Sequence, residues 1–502
     1  MKKKYISLFV SALLACGLTS CSDWLDVDQS TEKDAEEMFD NYDGFKGALI
    51  GCYSDLTKTD LYGTRLTMSN VDALASLWYL DASTDYYDNI KENYYLRVHN
   101  YSHSMAEDVF RTIYSNLYNA VLEANMVIKA FEKGKGNAII DPKSRAVTEG
   151  EAYAMRAFLH LDILRLFGQV PGGNTQVELP YAEVTSIEDQ LSYYSFDEYV
   201  GKLKSDFEKA LSLLKDNDPV CKYSFKELDQ IGKTGYEYVT IEDDFMMFRR
   251  YRLNYWAVKA LQARMYMYVG EKKAAHDVAM EIINATAEKG DKVIELSSAN
   301  DYGRSGIKNY ASPSECLFLL KFPNLHDISV PLLCGSPEGD RADMLQVDNQ
   351  ENLTLTKEWK DNLFLGFDGN DVRRNFMWSE TKTSQSLVFP TISKYYVEEE
   401  GVIPIIRLSE VYLIAIEGAE TLQESNSLYT TYMASKEVAR RDYFTSEAMM
   451  KAELEKEYRV DFFAEGLMFY YYKRNKTLKL WSNEGMDMRE SDYILPIPNT
   501  LN

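Results

Sequence analysis

The sequence predicts an all-α, mainly helical fold, and three observations carry that expectation. Apolar residues recur at i, i+3, i+4 and i+7 through most of the chain. A capping box and glycine or proline stops punctuate these stripes. The composition, 45% hydrophobic and 26% charged over 502 residues, is that of a globular protein large enough for a substantial core. Set against this, 78 Asp+Glu and 55 Lys+Arg give a net charge of −23, which excludes nucleic acid as a bulk electrostatic partner. Tyrosine is abundant, 37 against 22 Phe, so aromatic surface with a polar tip is plentiful for ligand contact as well as for core.

Residues 1–20 read as a removable leader. Lys2, Lys3 and Lys4 precede an apolar run from Tyr5 to Leu14 that is too short to span a bilayer. Leu18-Thr19-Ser20-Cys21 then has the form of a lipoprotein cleavage site, with Cys21 as the lipidated N-terminus of the mature chain. Two or more acyl chains would make that anchor effectively permanent. Loss of the three lysines takes the charge from −23 to −26. Residues 21–37 are polar and acidic, suited to a tether.

The helical stripes follow. Phe45, Ala48, Leu49, Cys52, Tyr53 and Leu56 form the first, and Phe110 to Phe131 a longer one closed by Gly134 and Gly136. From Gly150 to Phe167 apolar residues cover most of the circumference, so that helix is expected to be central and buried, stopped by Gly168 and Pro171. Ser195-Phe196-Asp197-Glu198 is a capping box before a stripe that reaches Leu214. Leu253 to Ala285 holds two stripes broken at Gly270, an antiparallel hairpin like a tetratricopeptide unit. Further helices are expected from Leu408 through Ala419 and from Met449 to Phe463, and loosely spaced pairs suggest a solenoid-like bundle. The scaffold is therefore placed at about 38–60, 105–285 and 402–475. Two loop-rich parts, about 61–104 and 286–401, are expected to face ligand.

Six motifs in order resemble the SusD/RagB family of outer-membrane lipoproteins. They are Cys21 with Asp23-Trp24-Leu25-Asp26; Ala48-Leu49-x-Gly51-x-Tyr53-x-x-Leu56; Gly150-Glu151-Ala152-Tyr153-x-x-Arg156-Ala157-Phe158 running on to Arg165-Leu166-Phe167-Gly168-x-Val170-Pro171; Lys259-Ala260-Leu261-x-Ala263-Arg264-x-Tyr266; Arg407-Leu408-Ser409-Glu410-Val411-Tyr412-Leu413; and Tyr493-x-Leu495-Pro496-Ile497-Pro498. The C-terminal helix keeps Phe462-Phe463-Ala464-Glu465-Gly466 but loses part of the family's basic run. The resemblance spans nearly the whole chain. It implies one domain over 38–502, built on tetratricopeptide-like pairs in a right-handed superhelix, on the surface of a Gram-negative outer membrane. It also implies a SusC-like TonB-dependent transporter as partner and glycans as ligand. Arg156, Arg264 and Glu465 are expected to satisfy neighbouring helices rather than ligand.

Sugars present apolar C–H faces ringed by hydroxyls, so a glycan site needs aromatic platforms and hydrogen-bonding side chains. Trp78, Tyr79, Asp85, Tyr86, Tyr87 and Asn89 provide both within twelve residues. By the family pattern, Tyr302, Tyr310, Trp359 and Trp378 would form the facing wall. The competing reading continues an apolar helix through Val71, Leu74, Ala75 and Leu77 into Trp78 and makes that ring core; core packing is also the favoured reading of Trp359 and Trp378. His99, His103 and Glu107 recur every four residues, but a metal face there lacks an embedded catalytic Glu. Asp368-Gly369-Asn370-Asp371 has Ca²⁺-type ligands without the loop's terminal Glu, so a turn is the simpler reading and no cofactor is assigned. No carboxylate pair, G-x-S-x-G or phosphate loop stands out. Cys52, Cys221, Cys316 and Cys334 fit no zinc spacing and read as free thiols, a Cys316–Cys334 bridge being the alternative. The function expected is capture of glycans for the transporter; the alternative is a same-fold lipoprotein that binds peptide or another nutrient, or acts mainly as the transporter's structural lid.

Overall fold

The structure is a computed structural model and describes residues 37–78, 91–186, 189–304, 311–334, 363–364, 369–382, 388–395, 401–439, 443–481 and 487–498. The leader, Cys21 and the tether up to residue 36 lie outside the described residues, as do Tyr79, Asp85, Tyr86, Tyr87, Asn89, Tyr310, Trp359 and Asp368. Fourteen α-helices run through the described residues: α1 Tyr42–Leu56, α2 Asn70–Leu74, α3 Glu92–Arg97, α4 Ser104–Glu132, α5 Pro142–Phe167, α6 Phe196–Leu214, α7 Phe225–Leu228, α8 Tyr255–Val269, α9 Lys272–Asn284, α10 Leu325–Cys334, α11 Leu408–Gly418, α12 Leu422–Ser435, α13 Glu447–Asp461 and α14 Met468–Asn475. Six short strands form three antiparallel pairs: β1 Leu179–Pro180 with β2 Tyr193–Tyr194, β3 Cys316–Lys321 with β6 Val402–Arg407, and β4 Trp378–Lys382 with β5 Val388–Ile392.

The helices begin where the sequence provides caps. Asp141 accepts from the N–H groups of Lys143 and Ser144 at 3.1 and 3.0 Å with Pro142 in the first turn, which starts α5. The Glu198 carboxylate accepts from Ser195 N–H at 3.0 Å and from its hydroxyl at 2.6 Å, as the capping box predicts. Asn254 caps α8 through Ala257 N–H, and Gly270, at φ +89°, ends it in the left-handed region that favours glycine. Neighbours then stack in series, α4 on α5, α5 on α6, α8 on α9, α9 on α11 and α11 on α12. This is the repeat-like succession expected from the helical hairpin at Leu253 to Ala285. Helix α5 is buried on nearly every side from Gly150 to Phe167, as its uninterrupted apolar circumference requires. Helix α13 starts two residues earlier than the apolar stripe, because Ser446 caps Met449 N–H.

Ionic residues of the family-like motifs stitch these helices together. Arg156 on α5 donates to both oxygens of Asp206 on α6 at 2.7 and 2.6 Å, and Arg264 on α8 does the same to Glu410 on α11 at 2.7 and 2.5 Å. Both pairs are buried, so removing one partner leaves an uncompensated charge. Lys473 on α14 has no carboxylate partner among the described residues; its ammonium donates to the carbonyls of Arg165, Leu166 and Gly168 at 2.9, 3.2 and 2.7 Å, closing the C-terminus of α5. Burial, with Arg165 nearby, pushes its pKa well below that of an exposed lysine. Among the described residues no helix is long and apolar enough to cross a membrane. Cys52, Cys221 and Cys316 are free, which sets aside the Cys316–Cys334 bridge.

Two outcomes follow from this packing. Lys473→Met leaves the three α5 carbonyls without their donor, and urea unfolding should show a loss of about 2–3 kcal/mol. Glu123 on α4 is raised from 4.5 to about 7 by burial and then by Asp55 on α1, with Lys58 opposing. The folded state therefore takes up a proton, and this contribution is fully present below about pH 4.5 and lost as pH rises to about 7. Thermal melts of Glu123→Gln should lack that slope and exceed the wild type above neutrality.

Candidate functional site

The C-terminal turn from Asp461 to Gly466 is the meeting point of the segments that sequence reasoning assigned to ligand. Gly466 has φ +70°, and a Cβ there would lie 2.1 Å from the Leu66 carbonyl oxygen, so only glycine allows the turn to press on the segment leading to Trp78. Beside it, Arg407 donates to Glu465 at 3.0 and 2.9 Å, to Asp461 at 3.1 Å and to Glu315 at 2.5 Å. Lys394 donates to the carbonyls of Asp461 and Phe463 at 2.9 and 2.8 Å and to Glu465 at 2.6 Å. Lys436 donates to Tyr302 at 2.7 Å and Ser409 at 2.8 Å, and Arg373 to Glu457 at 2.6 Å. These groups are buried.

Charge is settled unevenly in this cluster. Attraction to Lys436, Arg407 and Arg373 outweighs burial at Asp461 and holds its carboxyl well below the usual range. Burial dominates at Asp72, whose pKa is raised well above that range although it accepts from Ala464 N–H at 2.7 Å. Asp72 thereby contributes an acceptor without adding a full negative charge to an already acidic core.

Three of the predicted ligand aromatics are placed, and all three are core. Trp78 is 1% exposed, donates its indole N–H to the Met68 carbonyl at 2.9 Å and meets Phe463 edge-on at 5.0 Å between centroids. Trp378 is 3% exposed and meets the same Phe463 at 5.1 Å, and Tyr302 is 0% exposed against Lys436. Their expected role as ligand-facing platforms is corrected: helix α2 stops at Leu74, yet Leu77 and Trp78 still turn into the core because Phe463 and Met68 await them. Of the seven tyrosines from Tyr62 to Tyr101, Tyr62 donates to Asp162 at 2.6 Å and Tyr101 to the Asp492 carbonyl at 2.6 Å, while Tyr94 and Tyr95 are partly buried against the core. The remaining three, Tyr79, Tyr86 and Tyr87, lie outside the described residues.

Neither metal-like pattern assembles a site among the described residues. His99 sits in a turn at φ +53° with Nε2 3.0 Å from the Leu74 carbonyl, and His103 caps α4 by accepting from Met105 N–H, so with Glu107 they share no helical face. Asp371 is occupied by Arg373, which donates to it at 3.0 and 2.8 Å. Sequence reasoning missed Asp72, Lys394 and Lys436: Asp72 is a polar residue inside an apolar helical run, and the partners of all three lie far along the chain.

The site is thus a helical-repeat frame that gathers several irregular segments on one buried ionic cluster. Residues 23–226 match the family model SusD-like_3, described as starch-binding associating with outer membrane. The fold is similar to a SusD-like carbohydrate-binding protein from Bacteroides vulgatus, at 14% identity and TM-score 0.67, covering 91% of this chain and 95% of that one. It is also similar to a SusD-superfamily protein from Bacteroides thetaiotaomicron, at 19% identity, TM-score 0.62 and coverage of 92% and 97%. A third likeness is surface glycan-binding protein A from Bacteroides uniformis, at 14% identity, TM-score 0.63 and coverage of 91% and 96%. No curated protein matches the sequence. The chain is mainly helical, its fold is similar to those SusD-like structures, and its residues 23–226 are similar to the family model.

If Trp78 is core, Trp78→Ala should cost about 3–5 kcal/mol in chemical denaturation. That loss would appear whether or not ligand is present.

Proposed function

We propose that the protein is a cell-surface lipoprotein, anchored through Cys21, that captures oligo- or polysaccharide and delivers it to a SusC-like TonB-dependent transporter. The observation that carries this reading is the family match over residues 23–226 together with a fold similar to a carbohydrate-binding and a surface glycan-binding protein over nine-tenths of the chain. The ligand surface is proposed to be Tyr79, Asp85, Tyr86, Tyr87 and Asn89 with Tyr310 and Trp359. Tyrosine rings would stack on sugar faces while Asp85 and Asn89 bond hydroxyls. The charge of −26 left after loss of the three leader lysines from −23 favours neutral or basic ligands over polyanionic glycans.

A second reading has support in the burial of Trp78, Tyr302 and Trp378, which removes three of the candidate platforms. In it, the same fold binds peptide or another nutrient, or serves mainly as a lid on the transporter. Affinity electrophoresis and calorimetry of the soluble chain against a polysaccharide panel separate the two. The glycan reading expects binding to at least one neutral polysaccharide, weakened about tenfold or more in Tyr86→Ala/Tyr87→Ala with an unchanged melting temperature. Absence of binding across the panel would transfer support to the second reading.

A further inference from the structure

A small, partly open cavity of about 30 Å³ lies where α5, α8, α11, α13 and α14 converge, walled by Arg165, Arg264, Tyr268, Glu410, Tyr470 and Arg474 among others. That volume holds one species the size of a water molecule. The wall is rich in donors. The hydroxyls of Tyr268 and Tyr470 are buried and have no hydrogen-bond partner among the described residues. Arg165 uses Nε and Nη2 on Asp162, and Arg264 uses Nε and Nη2 on Glu410 and the Ile405 carbonyl, so neither commits Nη1 to an acceptor among the described residues.

The acceptors nearby are already engaged. Glu410 takes Arg264 on both oxygens, Glu417 takes Arg474 on both at 2.7 and 2.6 Å, and Asp162 takes Arg165 on one oxygen and Tyr62 on the other. These three ion pairs cancel. Lys473 adds a buried amino group beside Arg165, its partners being backbone carbonyls. A neighbouring cavity shares Arg165, Arg264 and Tyr470 with the first and is lined in addition by Asp162, Glu465 and Thr67. What sets the first apart is the pair of unpartnered phenol hydroxyls on its wall.

We propose that the first cavity is a binding site for a monatomic anion, chloride in a saline medium, held by the hydroxyls of Tyr268 and Tyr470 and by the guanidinium groups of Arg165 and Arg264. One such ion accepts from all of these donors and ties α14 to α5 and α8. The site lies within the helical frame and is independent of the glycan reading.

Bromide is the probe, used on the whole soluble protein. Crystals grown in sodium bromide should show an anomalous peak in the cavity within hydrogen-bonding reach of Tyr268 and Tyr470. Melting in sodium bromide or chloride should exceed that in sodium gluconate at equal ionic strength by roughly 1–3 °C. Tyr268→Phe and Tyr470→Phe, which keep the rings, should each reduce that difference. A cavity without a bromide peak, or wild-type melting that is the same in all three salts, overturns the proposal.

Discussion

Arg407 stands at the last residue of β6, directly before α11, and its guanidinium is divided among Glu315, Asp461 and Glu465. Those three carboxylates come from the start of β3, the end of α13 and the turn beyond it, so one planar cation fixes three separate parts of the chain. Desolvating so many charges is expensive, and the cluster is tolerable only because almost every oxygen has a donor. The arrangement has a consequence for position more than for stability. Phe463 and Ala464, held between Asp461 and Glu465, become the surface on which Trp78 and Trp378 rest and to which Asp72 bonds.

The same logic explains why tyrosine is so frequent. A chain with 78 acidic residues buries several of them, and those need donors that add no further charge. Phenol hydroxyls serve that purpose: Tyr53 donates to Glu151, Tyr62 to Asp162, Tyr181 to Asp206, Tyr429 to Glu457 and Tyr432 to Asp461. Their pKa values are all pushed up by burial and by the adjacent carboxylate, which keeps each proton on the phenol.

Much of the frame was legible because its signals are local. The capping box at Ser195, the stop at Gly270 and the apolar circumference of α5 each depend on neighbours within a few turns, and each appears where the sequence puts it. Ionic motif residues were legible as structural, though not their pairings: Arg264 finds Glu410 across 146 positions and Arg156 finds Asp206 across 50. The aromatics were ambiguous for the same reason. The apolar run through Val71, Leu74, Ala75 and Leu77 pointed Trp78 to the core, but the ring it meets there, Phe463, lies nearly the whole chain away. Tyr266, within the helical hairpin from Leu253 to Ala285, is only partly buried, under the Lys204 ammonium at 5.5 Å.

Burial of the placed aromatics makes them part of the frame. Trp78 immediately precedes the segment containing Tyr79 to Asn89, and Tyr302 stands a few residues before Tyr310; both are fixed on or beside the Asp461–Gly466 turn. The buried ionic cluster therefore fixes both rings from within: Trp78 rests on Phe463 and Tyr302 bonds to Lys436, which itself pairs with Asp461.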